Sequence, residues 1–332
     1  MEPRVARFAG SLVGQALGDA LGFVVEGQGA AACAAHVRAV LRPPRSAGWA
    51  RAPHATGQYS DDTQLARELA ASLVERGGFE PADYARRIAA IFAERRIVGH
   101  GPSTEAAAQR LALGVPWHAA GMPGPVAGNG GAMRVAPLAL VYADDTPRLH
   151  AMAHAQARIT HADPRCGAGA VAVAGAVVAA LQGRLHDAPA ICAPLAAAVQ
   201  RDDPVLAQAL RTLPAWLVAD PADAAVAIAA TGVDGADGRF GIAPHVTPSV
   251  LWALYAALRH PGDYVEAIAT AIEPGGDVDT TAAMAGAIVG AAVGLQGLPH
   301  ALAVTVHDRG GAGFDALCGL ARELAALAPG RP

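Results

Sequence analysis

Residues 5–25 read VARFAGSLVGQALGDALGFVV, with glycine at every fourth position: Gly10, Gly14, Gly18 and Gly22. Near the other end of the chain, Gly286, Gly290 and Gly294 repeat the spacing. Each interior glycine costs a helix about 1 kcal/mol relative to alanine. A stripe kept at helical spacing points to helices whose backbones approach closely, because it strips the Cβ layer from one face. Both segments are therefore expected as helices at the centre of a bundle.

Working outward, Ala-rich blocks bounded by Pro and Gly recur along the chain, while aromatic residues are only 5% and alternating β-branched runs are hard to find. The expected fold class is all-α, a single compact helical-bundle domain over residues 1–332. Helices are predicted over residues 5–25, 61–76, 81–95, 104–113, 147–158, 167–182, 280–295 and 314–327, among others. Residues 42–59, 115–128 and 232–248 are rich in Pro, Gly or Arg and read as long loops of the kind that line sites. Residues 166–183 and 280–306 carry no Asp, Glu or Arg and reach membrane-span length. They are mostly Ala and Gly rather than Leu, Ile and Phe, so buried helices are expected.

The 25 basic against 29 acidic side chains give a net charge of -4, which excludes a polybasic nucleic-acid binder. At 53% hydrophobic and 16% charged, the chain is too apolar to be disordered. Every basic residue is Arg, which excludes a Walker lysine and a Schiff-base lysine. Cys33, Cys166, Cys192 and Cys318 are scattered, without zinc-ligand spacing, and read as free thiols. The first apolar run is broken by glycines and leads to Asp19 without a convincing cleavage site. A cytoplasmic protein is expected, with neither membrane nor nucleic acid as partner.

Two acidic helix starts carry the chemistry. Ser60-Asp61-Asp62-Thr63 precedes Leu65, Leu69 and Leu73, and Gly276-Asp277-Val278-Asp279-Thr280 precedes the second glycine ladder. The simpler reading of each is a capped helix, with carboxylates against the positive end of the dipole. If the two starts meet, four carboxylates and the hydroxyls of Ser60, Thr63, Thr280 and Thr281 converge. Two divalent cations would then neutralise the charge, and an all-oxygen set selects Mg²⁺, Mn²⁺ or Ca²⁺.

Three further segments bear on a site. Gly128-Asn129-Gly130-Gly131-Ala132-Met133-Arg134 could form an anion nest, or be a plain turn. Residues 98–104, VGHGPST, with Gly101 and Ser103, form a sparser candidate of the same kind. Glu26 follows Phe23, Val24 and Val25, where desolvation would suit it to acid/base work; a solvated helix-end glutamate is the alternative. His161 reads as a cap or polar core residue, and His150 with His154 lacks the third ligand of a zinc site.

Taken in order, the segments 18–26, Ser60-Asp61-Asp62-Thr63, 128–134, Ile159-Thr160-His161 and Gly276-Asp277-Val278-Asp279-Thr280 resemble the ADP-ribosylglycohydrolase family, over about residues 7–299. The resemblance implies an all-α fold with a binuclear Mg²⁺ or Mn²⁺ centre. It implies Ser60, Asp61, Asp62, Asp277, Asp279 and Thr280 as metal ligands, with Ser60 standing where the family usually has Thr. It implies catalysis by Glu26 together with Asp62 and Asp277. Asn129, Gly130, Gly131 and Met133 would cradle the diphosphate and distal ribose, with His161, Gly101 and Ser103 also near the substrate. The implied partner is ADP-ribose or an ADP-ribosylated protein or small molecule, with ADP-ribosyl-serine or O-acetyl-ADP-ribose slightly favoured over ADP-ribosyl-arginine. A non-catalytic ADP-ribose binder or structural member of the same fold is the alternative.

Overall fold

The glycine ladders meet. In the computed structural model, which describes residues 2–42, 49–233 and 241–328, helix Pro3–Phe23 runs antiparallel to helix Val278–Val293 with backbone against backbone. Gly10 faces Gly290, Gly14 faces Gly286, Gly18 faces Ala282 and Gly22 faces Asp279. A Cβ on Gly14 would sit 2.5 Å from the Gly286 carbonyl oxygen, and one on Gly22 would sit 2.5 Å from Asp279 Cα. Two hydroxyls tie the pair further: Ser11 Oγ donates to Ala287 O at 3.0 Å, and Tyr264 Oη donates to Gly14 O at 2.6 Å. The antiparallel register sets the end of the first helix beside the start of the second, so Asp19 and Glu26 arrive near Asp277 and Asp279.

A side chain on this seam has nowhere to go but into the neighbouring main chain. Gly18→Val is expected to destabilise the fold by about 3 kcal/mol or more, at the upper end of overpacking costs. Urea unfolding of the variant beside the parent checks this, and a midpoint within error of the parent would contradict the packing.

The described residues carry seventeen α-helices and two short 3₁₀ turns, with only isolated β-bridges and no extended strand among them. Pro164–Leu181 and Val246–Arg259 flank the Val278–Val293 helix, Phe314–Leu327 packs on the first helix, and Asp61–Arg76 approaches both central helices. Pro164–Leu181 is long and apolar enough to cross a bilayer by length and composition, yet nearly all of it from Cys166 to Ala180 is buried in the bundle. Small residues let this interior helix pack closely.

Several boundaries differ from the sequence expectation. The first helix stops at Phe23, and the last glycine-laddered helix spans Val278–Val293, ended by Gly294 at φ +70°. Gly294 therefore ends the helix that was expected to run on to residue 295, while its backbone stays in the seam, its Cα 2.8 Å from where a Cβ on Gly10 would sit. Helices Ala30–Val40, Ala136–Val141 and Ala188–Val199 were not expected. Ala30–Val40 buries Cys33, Val37 and Val40 at i, i+4 and i+7, a period that alanine on every side obscures. Ala188–Val199 keeps Pro194 in its interior, a residue that reads as a break. Residues 43–48 and 234–240 of the expected loops lie outside the described residues.

Candidate active site

The two acidic starts share one end of a cleft of about 680 Å³. Asp61, Asp62, Asp277, Asp279 and Thr280 line it with Glu26, and its other walls come from Gly99–Thr104, Gly128–Gly130, Met133 and His161. Of the residues singled out from sequence for this site, Ser60, Thr63, Gly131 and Thr281 do not line it; the Thr63 hydroxyl donates to Asp19 and that of Thr281 to main-chain carbonyls. Ser60 is enclosed behind the acids, and Gly131 packs on Ala157, where an added Cβ would lie 2.5 Å from the Ala157 Cβ. A larger cavity of about 960 Å³, bordered by Pro221, Val226 and Trp252, is walled chiefly by Ala, Val and Pro. Its acidic groups among the described residues are Asp220 and Glu273, so the convergence of functional groups lies in the smaller cleft.

The capping alternative separates the two starts. Asp145, Asp187, Asp203, Asp220 and Asp263 each accept a backbone N–H of the helix they precede. Ser60 does the same for Asp62 N at 3.3 Å. Asp277 stands at the equivalent place and makes no such bond; its Oδ2 instead accepts from Asn129 Nδ2 at 2.5 Å. Asn129 is fixed in turn by Ser249, whose Oγ accepts from the same Nδ2 at 2.9 Å and donates to Ala243 O at 2.8 Å. Gly275 and Gly276, at φ +80° and +90°, make the turn that aims Asp277 inward, and a Cβ on Gly276 would strike Ile242.

Asp62 and its neighbours are held from several elements. Asp62 Oδ2 accepts from Ser60 Oγ at 3.0 Å and from Thr280 Oγ1 at 3.3 Å, while Oδ1 is enclosed with no hydrogen-bond partner. Gln15, from the first helix, donates to Asp62 O at 3.1 Å and Met133 O at 2.9 Å, pinning the acidic start to the glycine loop. Asp61 N donates to Val98 O at 2.7 Å, which brings the 98–104 wall alongside.

Asp19 is the residue that sequence reasoning missed. Its Oδ1 accepts from Ser60 N at 2.8 Å, and its Oδ2 accepts from Thr63 N at 3.0 Å and Thr63 Oγ1 at 2.6 Å. A carboxylate from one helix thus caps another and fixes the pitch at which Asp61 and Asp62 enter the cleft. The available signal was its isolation: Asp19 is the one charged residue between Arg7 and Glu26.

Of the two readings of Glu26, the structure bears out the solvated one. Its side chain is 30% exposed, and Oε2 meets Arg51 Nη1 at 2.6 Å, so it is neither desolvated nor part of the helix. The helix has already ended at Phe23, whose ring lies 4.5 Å beneath the Arg51 guanidinium, leaving Glu26 in the following turn at the cleft edge. Carboxylate oxygens of Glu26, Asp277 and Asp279 nevertheless lie within 4.8 Å of one another.

The electrostatics follow from this crowding. Burial holds the Asp61, Asp62 and Asp279 carboxyls well above their ordinary range, and neighbouring negative charges push them higher. Asp277 is raised to about 6 by desolvation and by Glu26, against the lowering effect of its Asn129 hydrogen bond. Asp19 is raised to about 6 by burial. A set of oxygen donors that cannot all ionise together, one oxygen of which lacks any donor, fits hard divalent cations. The cysteines are all buried and free. His150 and His154 gain no third ligand among the described residues, and His154 faces Asp202 at 3.6 Å.

Comparison with known proteins gives a consistent set of relatives. The family model described as ADP-ribosylglycohydrolase matches residues 1–332. A protein of Archaeoglobus fulgidus described as uncharacterised is 32% identical over 290 residues, covering 86% of this chain and 87% of its own. The ADP-ribosylhydrolase ARH3 of Mus musculus is 29% identical over 332 residues, covering 89% and 86%. The ADP-ribosyl-[dinitrogen reductase] glycohydrolase of Rhodospirillum rubrum is 33% identical over 162 residues, covering 48% and 52%. A solved structure titled "ADP-ribosylglycohydrolase-related protein complex" superposes with a TM-score of 0.74 at 28% identity, over 99% of this chain and 100% of that one.

Proposed function

The chain belongs to the ADP-ribosylglycohydrolase family, and from that premise we propose that it is a divalent-metal-dependent hydrolase that cuts the glycosidic bond at the distal ribose of ADP-ribosylated substrates and releases ADP-ribose. The observation that carries this reading is the meeting of Asp61, Asp62, Asp277 and Asp279 at one end of a cleft whose other wall is a glycine turn and a histidine. A binder without chemistry has no physical reason to keep four mutually repelling carboxyls, which destabilise the fold unless counter-charge is present.

Asp61, Asp62, Asp277, Asp279, Ser60 and Thr280 would hold two Mg²⁺ or Mn²⁺ ions, which when bound supply Lewis-acid polarisation beside the ribose hydroxyls. The remaining work falls to the chain. Asn129 keeps Asp277 turned into the cleft. The Gly128–Gly130 turn, with glycine on either side of Asn129, presents main-chain amides for the diphosphate. Glu26, at the cleft edge, takes a proton from the attacking water and passes one to the group leaving the anomeric carbon, so that the glycosidic bond broken is replaced by the bond to water. Gln15 and Asp19 hold these parts at fixed separations from within the core.

For the leaving group, the cleft wall at His100, Gly101 and Ser103 presents no carboxylate to pair with a guanidinium. That favours an oxygen-linked substrate, ADP-ribosyl-serine or O-acetyl-ADP-ribose, over ADP-ribosyl-arginine. The deciding experiment measures ADP-ribose release from the three substrates side by side, with Mg²⁺ and with a chelator. Release from none of them in Mg²⁺ would end the proposal, and faster release from ADP-ribosyl-arginine would reverse the preference. In the same assay Glu26→Gln is expected to slow turnover by about a hundredfold, within the range for lost acid/base help, while ADP-ribose binding is retained.

A further inference from the structure

Arg134 is fully buried, and among the described residues no carboxylate pairs with it. Its guanidinium carbon lies 5.5 Å from the centroid of the Tyr84 ring. Its donors go to neutral acceptors: Nε to Gln156 Oε1 at 3.0 Å, and Nη2 to Gln156 O at 3.0 Å and Thr160 Oγ1 at 2.7 Å. Nη1 is enclosed without a partner. An unpaired buried charge is expensive to keep, and one that serves only to fill space would be replaced at a gain by an apolar side chain.

What the charge does is legible from the next hydrogen bond. Thr160 Oγ1 lies 2.8 Å from His161 Nδ1. A guanidinium donates and never accepts, so Thr160 receives from Arg134, and among the described residues the acceptor within hydrogen-bond distance of its single proton is Nδ1. With Nδ1 accepting, the proton of the neutral imidazole resides on Nε2. Burial, with Arg134 nearby, lowers the ring's pKa to about 3, so it stays neutral at ordinary pH. His161 lines the cleft and packs on the glycine turn: a Cβ on Gly130 would lie 2.5 Å from its Cε1, and one on Gly128 would lie 3.0 Å from its Nε2. Among the described residues no protein acceptor meets Nε2.

We infer that Arg134 and Thr160 are positioning residues that lock His161 as an Nε2–H donor, presented to the cleft beside Gly128 for an acceptor oxygen of the ADP-ribose unit. The ligand in this statement rests on the function proposed above; the tautomer does not. A donor already fixed in one protonation state and one orientation need not be ordered when ligand arrives. It also explains why Gly128 and Gly130 carry no side chains, since any would displace the ring.

Two-bond ¹⁵N–¹H correlation spectra of the ¹⁵N-histidine-labelled protein, with His161 assigned by comparison with His161→Gln, read the tautomer directly. The unsubstituted protein is expected to show the neutral Nε2–H form from about pH 5 to about pH 8. Thr160→Val is expected to move His161 to the Nδ1–H form or a mixture, and to weaken ADP-ribose binding about tenfold, the scale of one disrupted buried hydrogen bond. KM should rise with kcat within about threefold, as for lost uniform binding, and Thr160→Ser should restore both readouts. An Nδ1–H or protonated ring in the unsubstituted protein overturns the relay, and this measurement stands even if Thr160→Val fails to fold. Unchanged tautomer and affinity in Thr160→Val overturn it as well. Failure of ADP-ribose to bind the unsubstituted protein overturns the proposed function and the ligand named here, whereas a wrong tautomer with intact binding overturns the relay alone.

Discussion

Asp277→Asn is expected to lower ADP-ribose release by about a thousandfold or more, since the loss of one ligand from a charge-neutralising centre removes several kcal/mol of stabilisation from the reacting state. The substitution is nearly isosteric, so packing around Val278 and Ile242 is kept. It also exchanges a charged hydrogen bond for an amide facing an amide, because Asn129 Nδ2 now points at residue 277. Asp61→Asn should fall as far, although Asp61 comes from a helix start two hundred residues earlier in the chain. The two variants together ask whether distant acids work as one unit: if they do, the double variant loses little beyond either single one. Near-normal turnover in Asp277→Asn would remove the basis of the proposed metal centre.

The second large effect concerns stability. Asp277 and Asp19 are raised to about 6, and Asp61, Asp62 and Asp279 lie well above their ordinary range. Such a carboxyl binds its proton more tightly in the folded chain than in the unfolded one. Its contribution to stability is therefore full below about pH 4 and is lost as pH rises through about 6 and beyond. In a chelator these carboxyls are expected to pull Tm down between about pH 5 and about pH 8, against buried histidines such as His36 and His161, whose lowered pKa values pull the other way, so the slope is read as the difference between the parent and Asp277→Asn. Millimolar Mg²⁺ should bind the ionised cluster and raise Tm at the alkaline end by about 5 °C or more. Asp277→Asn should flatten the chelator slope, because it deletes one of the repelling charges. A Tm that ignores both pH and Mg²⁺ would contradict the repulsion on which the proposed chemistry depends.

Much of this architecture can be read from the chain. The ladder at Gly10, Gly14, Gly18 and Gly22 demanded a partner of equal bareness, and Gly286 and Gly290 supply it. The acidic starts could be seen as segments, yet whether each was a cap or a site depended on a contact between Asn129 and Asp277 that no local pattern contains. Asp19 escaped notice because its role is to accept hydrogen bonds from another helix's amides, a relation set by the register of the bundle and not by its neighbours in sequence. Glu26 was open to a desolvated and a solvated reading, and the solvated one holds because its apolar neighbours face the core, while the turn after Phe23 rotates the glutamate outward to Arg51. Arg134 looked like the end of a glycine motif and is instead among the largest fully buried side chains.

The seam between Pro3–Phe23 and Val278–Val293 joins segments that lie nearly the whole chain apart. During synthesis the earlier segment leaves the ribosome long before its mate exists, so a nascent chain must carry a bare, apolar face through most of translation. Docking of that pair therefore waits on residues 278–293, and truncation ahead of residue 278 strips the first helix of the surface that covers its Gly10, Gly14, Gly18 and Gly22 face.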